Sequence, residues 1–447
     1  MENLFQLRLE TKQLLRNNKP SQKEYEEALP LCKNLWEAFS ETNNLWDAQQ
    51  YANCLKQLNR LDEAEDVCDE IYNLFKDDAL ISQEKAYKYI LRIYCSVIYS
   101  KYIKTIKSSN YEFKEILLGK LQLFVYIANG VEWENYDFIS YCVIAGLGYL
   151  NKNDNSLNYV LALEILDQLD VKTLSDKPYQ YKDSNDKKRE SASRKEDFYT
   201  LKTDLLLKSK QFDECILVCN EALEEISTFH YSNEIWLERK IALALDEMGE
   251  EEEAINRLKK LIVTSDKWFL LYEVGKLYLK LGNKNNALQY MLKALCTKDP
   301  EKMKIKLIEQ LGDVLSDIGE MEYAQENYLL SIKIKKENDW VVKDSLLKKV
   351  EGEREVSFKD VRRHWIQLLY KFAGKKTGKI DRLLPGNKAG FIKAEKSYYF
   401  QSKNFFGRVD MLKVGDIVDF STCVSYDRKK KQETIEAIAI MPVKKIN

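Results

Sequence analysis

Residues 248–261 read M-G-E-E-E-E-A-I-N-R-L-K-K-L, residues 281–294 read L-G-N-K-N-N-A-L-Q-Y-M-L-K-A, and residues 318–331 read I-G-E-M-E-Y-A-Q-E-N-Y-L-L-S. In each stretch a glycine precedes an alanine by five residues, and a large apolar residue follows the alanine by four. The triplets are Gly249, Ala254 and Leu258; Gly282, Ala287 and Met291; Gly319, Ala324 and Tyr328, so the alanines are 33 and 37 residues apart. Upstream, an apolar stripe of Leu271, Gly275, Tyr278 and Leu281 returns as Ile308, Gly312 and Leu315. Apolar residues at this spacing mark helices. Two helices joined by a tight turn bring Gly and Ala into a crowded contact, where only a small side chain lets the backbones close up. The unit is a helix-turn-helix repeated along the chain.

This pattern resembles the tetratricopeptide repeat, a helical pair of about 34 residues that stacks into a solenoid. The resemblance puts Gly275 and Gly312 on the small position of the first helix, and Ala254, Ala287 and Ala324 on that of the second. Ala294 takes the closing small position, and Asp299-Pro300 the terminal proline. Weaker copies surround Cys215, Ala64 and Ala28 in Q-F-D-E-C, L-D-E-A and Y-E-E-A. The reading assigns residues 197–340 to these repeats and residues 1–170 to partly degenerate ones, with 80–170 helical but unphased. The resemblance also implies a groove for a protein or peptide partner, lined by Trp236, Arg239, Phe269, Tyr272, Lys276 and Lys280. Cations beside aromatics suit an acidic or C-terminal peptide; packing is the alternative role for these aromatics.

The composition agrees with a mainly helical chain. Of 447 residues, 45% are apolar, 32% charged, and only 16 are Gly and 6 Pro, with turn punctuation rare before about residue 374. The first residues lack a basic segment followed by an apolar core, so a cytoplasmic location is expected. The most apolar stretch, residues 87–103, is interrupted by Lys88, Arg92 and Lys101, and no membrane association is expected. The 9 cysteines include no C-x-x-C pair, and there are two histidines, His230 and His364. No metal site, cofactor motif or catalytic constellation is legible, so a non-catalytic protein is expected. Cys215 and Cys219 share a helical face and are read as core.

Two stretches interrupt the repeats. Residues 171–196 are polar and lack helical periodicity, and are read as a solvated insertion or linker. Residues 341–373 hold a capping or connecting helix, with Ser357 as its N-cap, Val361, Trp365, Leu368, Leu369 and Phe372 on one apolar face, and Gly374 at its end.

From residue 374 to 447 the texture changes to turns and β-branched residues. Lys and Arg number 16 there against 8 Asp and Glu, giving +8, whereas the whole chain is at −1. Five short strands are expected, beginning near Thr377, Ala389, Ser397, Asp416 and Thr434, with turns at Pro385-Gly386-Asn387 and from Asp427 to Lys431. Five strands in this length suit a small β-barrel.

The segment resembles a cold-shock domain, an OB-type barrel that binds single-stranded RNA or DNA. G-K-I in the first strand, G-N-K-A-G-F-I, Y-Y-F-Q, and above all L-K-V-G-D-I-V-D-F from Leu412 to Phe420 carry it. The resemblance places Phe391 and Tyr399 where bases stack, Gln401 at a polar position, and Lys379 and Lys388 beside them. Arg382, Ala389 and Ser402 depart from aromatic positions of the family; Arg382 offers a guanidinium plane instead. Arg428, Lys429 and Lys430 would add cations along the phosphates. The expected protein is an adaptor joining a protein partner to single-stranded RNA or DNA; the alternative is a protein scaffold with a degenerate barrel.

Overall fold

The computed structural model describes residues 2–17, 19–108, 111–131, 136–265, 267–350, 352, 354–427 and 432–443. It divides into two compact units, Met1–Leu237 and Glu238–Asn447.

The first unit is built from helices that pack on their chain neighbours, among them Gln22–Glu37, Leu45–Gln57, Leu61–Phe75, Lys85–Ile98, Lys114–Gly130 and Tyr136–Asn153. Ser21 opens the first of these with a capping box: its hydroxyl accepts from the Glu24 amide at 3.3 Å, and its own amide donates to Glu24 Oε2 at 2.5 Å. The unphased stretch obeys the same close-packing rule, since a Cβ at Gly146 would lie 2.7 Å from Leu121 Cδ1. Buried Glu65 is held by Lys101 at 2.7 Å, Lys120 at 2.5 Å and the Tyr102 hydroxyl at 2.6 Å. That satisfies a carboxylate whose burial would otherwise cost several kcal/mol.

The expected solvated insertion is corrected in part. Residues 171–196 contain a two-stranded antiparallel hairpin, β1 (Tyr179–Lys182) and β2 (Lys188–Ser191), followed from Arg194 by the helix Arg194–Lys208. Both strands are almost wholly exposed, so they carry no apolar alternation by which sequence would reveal them. Asp183 organises the turn by accepting from the Asn185 amide at 2.9 Å and the Lys187 amide at 3.0 Å.

In the second unit the repeats take the spacing that the sequence sets. Helices Trp268–Lys280 and Lys284–Leu295 pack together, as do Ile305–Asp317 and Met321–Glu337. Gly282 and Gly319 turn the chain with φ of +74° and +82°, a conformation that costs a side chain about 1–2 kcal/mol. Ala254, Ala287 and Ala324 are fully buried. A Cβ on Gly275 would approach Met291 Cγ to 2.9 Å, and one on Gly312 would approach Tyr328 Cε1 to 2.6 Å. The sequence pairing of a small residue with the large residue of the next helix is thus a contact.

Helix Phe358–Ala373 packs on the second helices of two successive pairs, Lys284–Leu295 and Met321–Glu337. Ser357 stands at its N-cap with extended backbone, but no side-chain cap bond forms, which corrects the expected cap. The helix is held by its buried face. Trp365 is 1% exposed, its Nε1 donates to Asn327 Oδ1 at 2.9 Å, and His364 Nδ1 lies 2.6 Å from Glu326 Oε2. Gly374, at φ +89°, ends it.

The chain then enters a closed barrel of five strands: β3 (Lys376–Leu383), β4 (Ala389–Lys393), β5 (Ser397–Gln401), β6 (Ile417–Asp427) and β7 (Gln432–Pro442), in the order β3-β4-β5-β7-β6. All neighbours are antiparallel except β5 and β7. Ile380, Ile392, Tyr398, Phe400, Val418, Phe420, Ala437 and Ile440 fill its interior. The register between β6 and β7 shifts between Asp419 and Ser421, where β7 holds one extra residue, and Ala439 there has φ +51°. The barrel is not hung on a free linker. Ala439 belongs to the same apolar core as Trp365 and Leu369, with Ile438, Met441 and Phe406 packed on it.

Candidate nucleic-acid and partner interfaces

The barrel pairing sets the outer face residue by residue. Alternation sends Ile392, Tyr398 and Phe400 inward, so Phe391, Lys393, Tyr399 and Gln401 face out. Arg382 is opposite Phe391, Phe391 opposite Tyr399, Tyr399 opposite Glu436, and Glu436 opposite Cys423. Five residues from five strands therefore form one row across the barrel. The Phe391 and Tyr399 rings meet edge-on at 5.7 Å and 67°, and the Arg382 guanidinium carbon lies 4.8 Å from the centre of the Phe391 ring. Both rings remain half-buried, so part of each is open to solvent.

The other expected residues flank this row. Gln401 pairs with Ala389 at one end, and Lys388 is held next to it because the Ser402 amide donates to the Lys388 carbonyl at 2.9 Å. Lys379 is exposed toward the opposite end, across from Lys393. Ala389 and Ser402, the two departures without a flat group that could stack, are buried. Arg428, Lys429 and Lys430 lie outside the described residues. Sequence reasoning missed Glu436, a nearly buried carboxylate beside Tyr399 that accepts from Asn404 Nδ2 at 3.1 Å. The E-A-I-A-I alternation places it outward, but only the parallel pairing of β5 with β7 puts it next to Tyr399.

The expected groove residues occupy successive repeat helices. Trp236 belongs to the first unit and is 37% exposed; the rest belong to the second. Arg239 Nε donates to both Glu273 oxygens at 2.9 Å, and its guanidinium sits 5.6 Å from the Phe269 ring. Lys280 bridges Asp246 and Glu251, each at 2.8 Å, which raises its pKa above the ordinary value. The Tyr272 hydroxyl is 2.7 Å from Gln310 Oε1, and burial pushes its pKa up to about 12. Lys276 is exposed 5.3 Å from the Tyr272 ring, and among the described residues it has no carboxylate partner. An incoming acidic peptide would meet Lys276 directly, but would have to compete with Glu273 for Arg239.

A cavity of about 410 Å³ lies elsewhere, in the first unit, lined by Asp167, Asp170, Phe198, Tyr199, Lys202 and Glu221. Its charges are internally matched: Lys202 pairs with Asp167 at 2.8 Å, and the Tyr199 hydroxyl donates to Glu221 at 2.9 Å. Among the described residues no cluster of His, Cys, Asp and Glu has the arrangement of a metal site, and no helix is long and apolar enough to cross a membrane.

A family described as a domain of unknown function, DUF7017, matches residues 235–362, the last repeats and the start of the helix after them. A search of curated proteins finds no match. Among solved structures, a human IFIT1 dimer with PPP-AAAA is 12% identical, with 79% of this chain and 77% of that chain covered and a TM-score of 0.36. A tetratricopeptide repeat protein from Parabacteroides merdae is 13% identical over 70% of this chain and 100% of its own, with a TM-score of 0.28. Naa15/Naa10 bound to HypK-THB is 12% identical over 83% of this chain and 47% of its own, with a TM-score of 0.41.

Proposed function

We propose that the protein is a non-catalytic adaptor whose helical repeats hold a protein partner and whose barrel, of cold-shock type, binds single-stranded RNA or DNA. The observation that carries this reading is the row on the outer wall, where Arg382 covers Phe391 and Phe391 adjoins Tyr399. Aromatic faces stack bases for about 1–3 kcal/mol each without reading sequence, and a guanidinium plane does the same while neutralising phosphate. The strand order, closed with a single parallel pair, and the net +8 of residues 374–447 support it.

A scaffold with a degenerate barrel is the second reading, favoured by the Glu436 carboxylate beside Tyr399. The two separate on the affinity of the intact chain for labelled single-stranded RNA, single-stranded DNA and a duplex of equal length over a salt series. The adaptor reading expects single strands to bind best and to weaken steeply with salt. Absence of binding at low salt would leave the scaffold.

A further inference from the structure

The row that starts with Arg382 and Phe391 does not stop at Tyr399. It runs on through Glu436 to Cys423 on β6, about 10 Å farther at the usual spacing of ~4.8 Å between strands. At that end β6 packs on helix Glu251–Thr264 of the same unit. Lys259 of that helix and Lys293 of helix Lys284–Leu295 converge there on a pair of tyrosines. The Tyr278 and Tyr290 rings stack at 5.7 Å and 29°, Lys259 Nζ lies 5.2 Å from the Tyr278 ring, and Lys293 Nζ lies 5.3 Å from the Tyr290 ring.

These two ammonium groups differ from the paired cations of this chain. Arg239, Lys280, Lys101 and Lys202 each have a carboxylate within 4 Å, whereas neither Lys259 nor Lys293 has one among the described residues. Both are half-buried. Burial lowers the pKa of Lys293, and the nearby Lys259 ammonium lowers it further. Two cations held partly out of water, close enough to repel and without an internal anion, form a site whose missing component is an anion. Aromatic rings beneath them supply cation–π contact and a flat wall without adding negative charge.

We infer that Lys259 and Lys293, on the Tyr278–Tyr290 wall, bind the phosphodiester backbone of a nucleic-acid strand that leaves the Phe391–Tyr399 row and crosses the barrel past Cys423 onto the repeats. This rests on the barrel's binding single strands, and it adds what that reading lacks, a repeat surface that takes part. Glu436 lies between the two sites, so the strand passes it with its phosphates held away. A short oligomer occupies the row alone, and a longer one reaches both sites.

The test compares labelled single-stranded oligomers of 4 and 12 nucleotides on the intact chain and on a Lys259→Gln, Lys293→Gln variant. The 12-mer should lose about tenfold in affinity in the variant, and its salt dependence should flatten by about 1.4 in log–log slope for two phosphates released. The 4-mer should change by less than about twofold. Lys259→Arg, Lys293→Arg should restore the 12-mer. Equal 12-mer affinity in variant and intact chain, with the 4-mer still bound, would overturn the lysine site and leave the barrel reading standing. Failure of the intact chain to bind either oligomer would overturn both. Should the glutamine variant fold poorly, reductive methylation of the intact chain supplies the answer: the 12-mer must protect Lys259 and Lys293, and unprotected lysines would refute the proposal.

Discussion

Tyr370, near the end of the helix that covers the last repeats, has its hydroxyl 2.9 Å from the Asp419 carbonyl and 2.5 Å from the Ala439 carbonyl, at the bulge of the barrel. A bulge disrupts the ladder locally and leaves backbone groups in need of partners. Here a side chain from the helical part of the same unit supplies a donor, so the irregularity that lets β7 turn also locks the barrel to its support. The expectation is that Tyr370→Phe, which leaves a buried carbonyl unpaired, lowers the stability of the chain by about 1–2 kcal/mol in urea unfolding. A change within error would mean that water replaces the hydroxyl.

Burial raises the pKa of Tyr370, so in the folded state it holds its proton to higher pH than in the unfolded chain. The stability it contributes is complete below the ordinary tyrosine pKa and is lost as pH rises from about 10. Alkaline unfolding should therefore begin at higher pH in Tyr370→Phe than its reduced stability at neutral pH alone suggests.

Lys304 titrates with the opposite sign. It is fully buried, donates to the Leu295 carbonyl at 3.3 Å and the Thr297 carbonyl at 2.9 Å, and burial lowers its pKa from 10.5 to about 8. Between those values the unfolded chain binds more protons than the folded one, so this residue makes stability rise with pH from about 8 to 10.5. Lys304→Met should remove that rise, measured as the difference in unfolding free energy between variant and parent at pH 8 and pH 10.

The repeat contacts should be intolerant of added bulk to unequal degrees. At Gly312 a Cβ meets the Tyr328 ring, which is itself fixed by its hydroxyl's bond to Asp313 at 2.7 Å. At Gly275 it meets the flexible Met291. Gly312→Ala should cost about 1–3 kcal/mol, and Gly275→Ala less, in the same urea assay.

Much of this was legible in the sequence. The Gly–Ala–large triplets gave the helix pairs because close packing constrains residue size, and the five barrel strands were found near their observed limits because alternation of an inward and outward face is strict in so small a barrel. Ser357 misled because an N-cap residue type does not ensure a cap bond when burial of Trp365 already fixes the helix. The hairpin at 179–191 was invisible because neither face is buried.

The polar ladders were missed although they leave a trace: Arg239 and Glu273, Lys280 and Asp246, and His230 and Glu196 are each 34 residues apart. The first two pairs join corresponding helices of successive repeats, Asn233–Met248 and Trp268–Lys280, and the third joins helix Arg194–Lys208 to the segment before helix Asn233–Met248. Reading charge at the repeat period would have shown that Arg239 and Lys280 are matched internally, and that Lys276 is the groove cation to test.

That pairing yields a stability test of its own. Glu273 is nearly buried against a partly exposed Arg239, so Glu273→Ala should cost about 2–3 kcal/mol by removing the carboxylate that the guanidinium grips with two bonds. Replacing both residues with Met should recover most of it. A double variant as unstable as the single one would show that Arg239 is held by other partners.

The most direct measurement of the central claim is the affinity of single-stranded oligomers, by fluorescence anisotropy at low salt, for the intact chain and for a Phe391→Ala, Tyr399→Ala variant whose unfolding transition is unchanged. Loss of two stacking surfaces at about 1–3 kcal/mol each predicts at least a tenfold weakening. Affinity equal to that of the intact chain would contradict the stacking row, and with it the account of this barrel as a nucleic-acid interface.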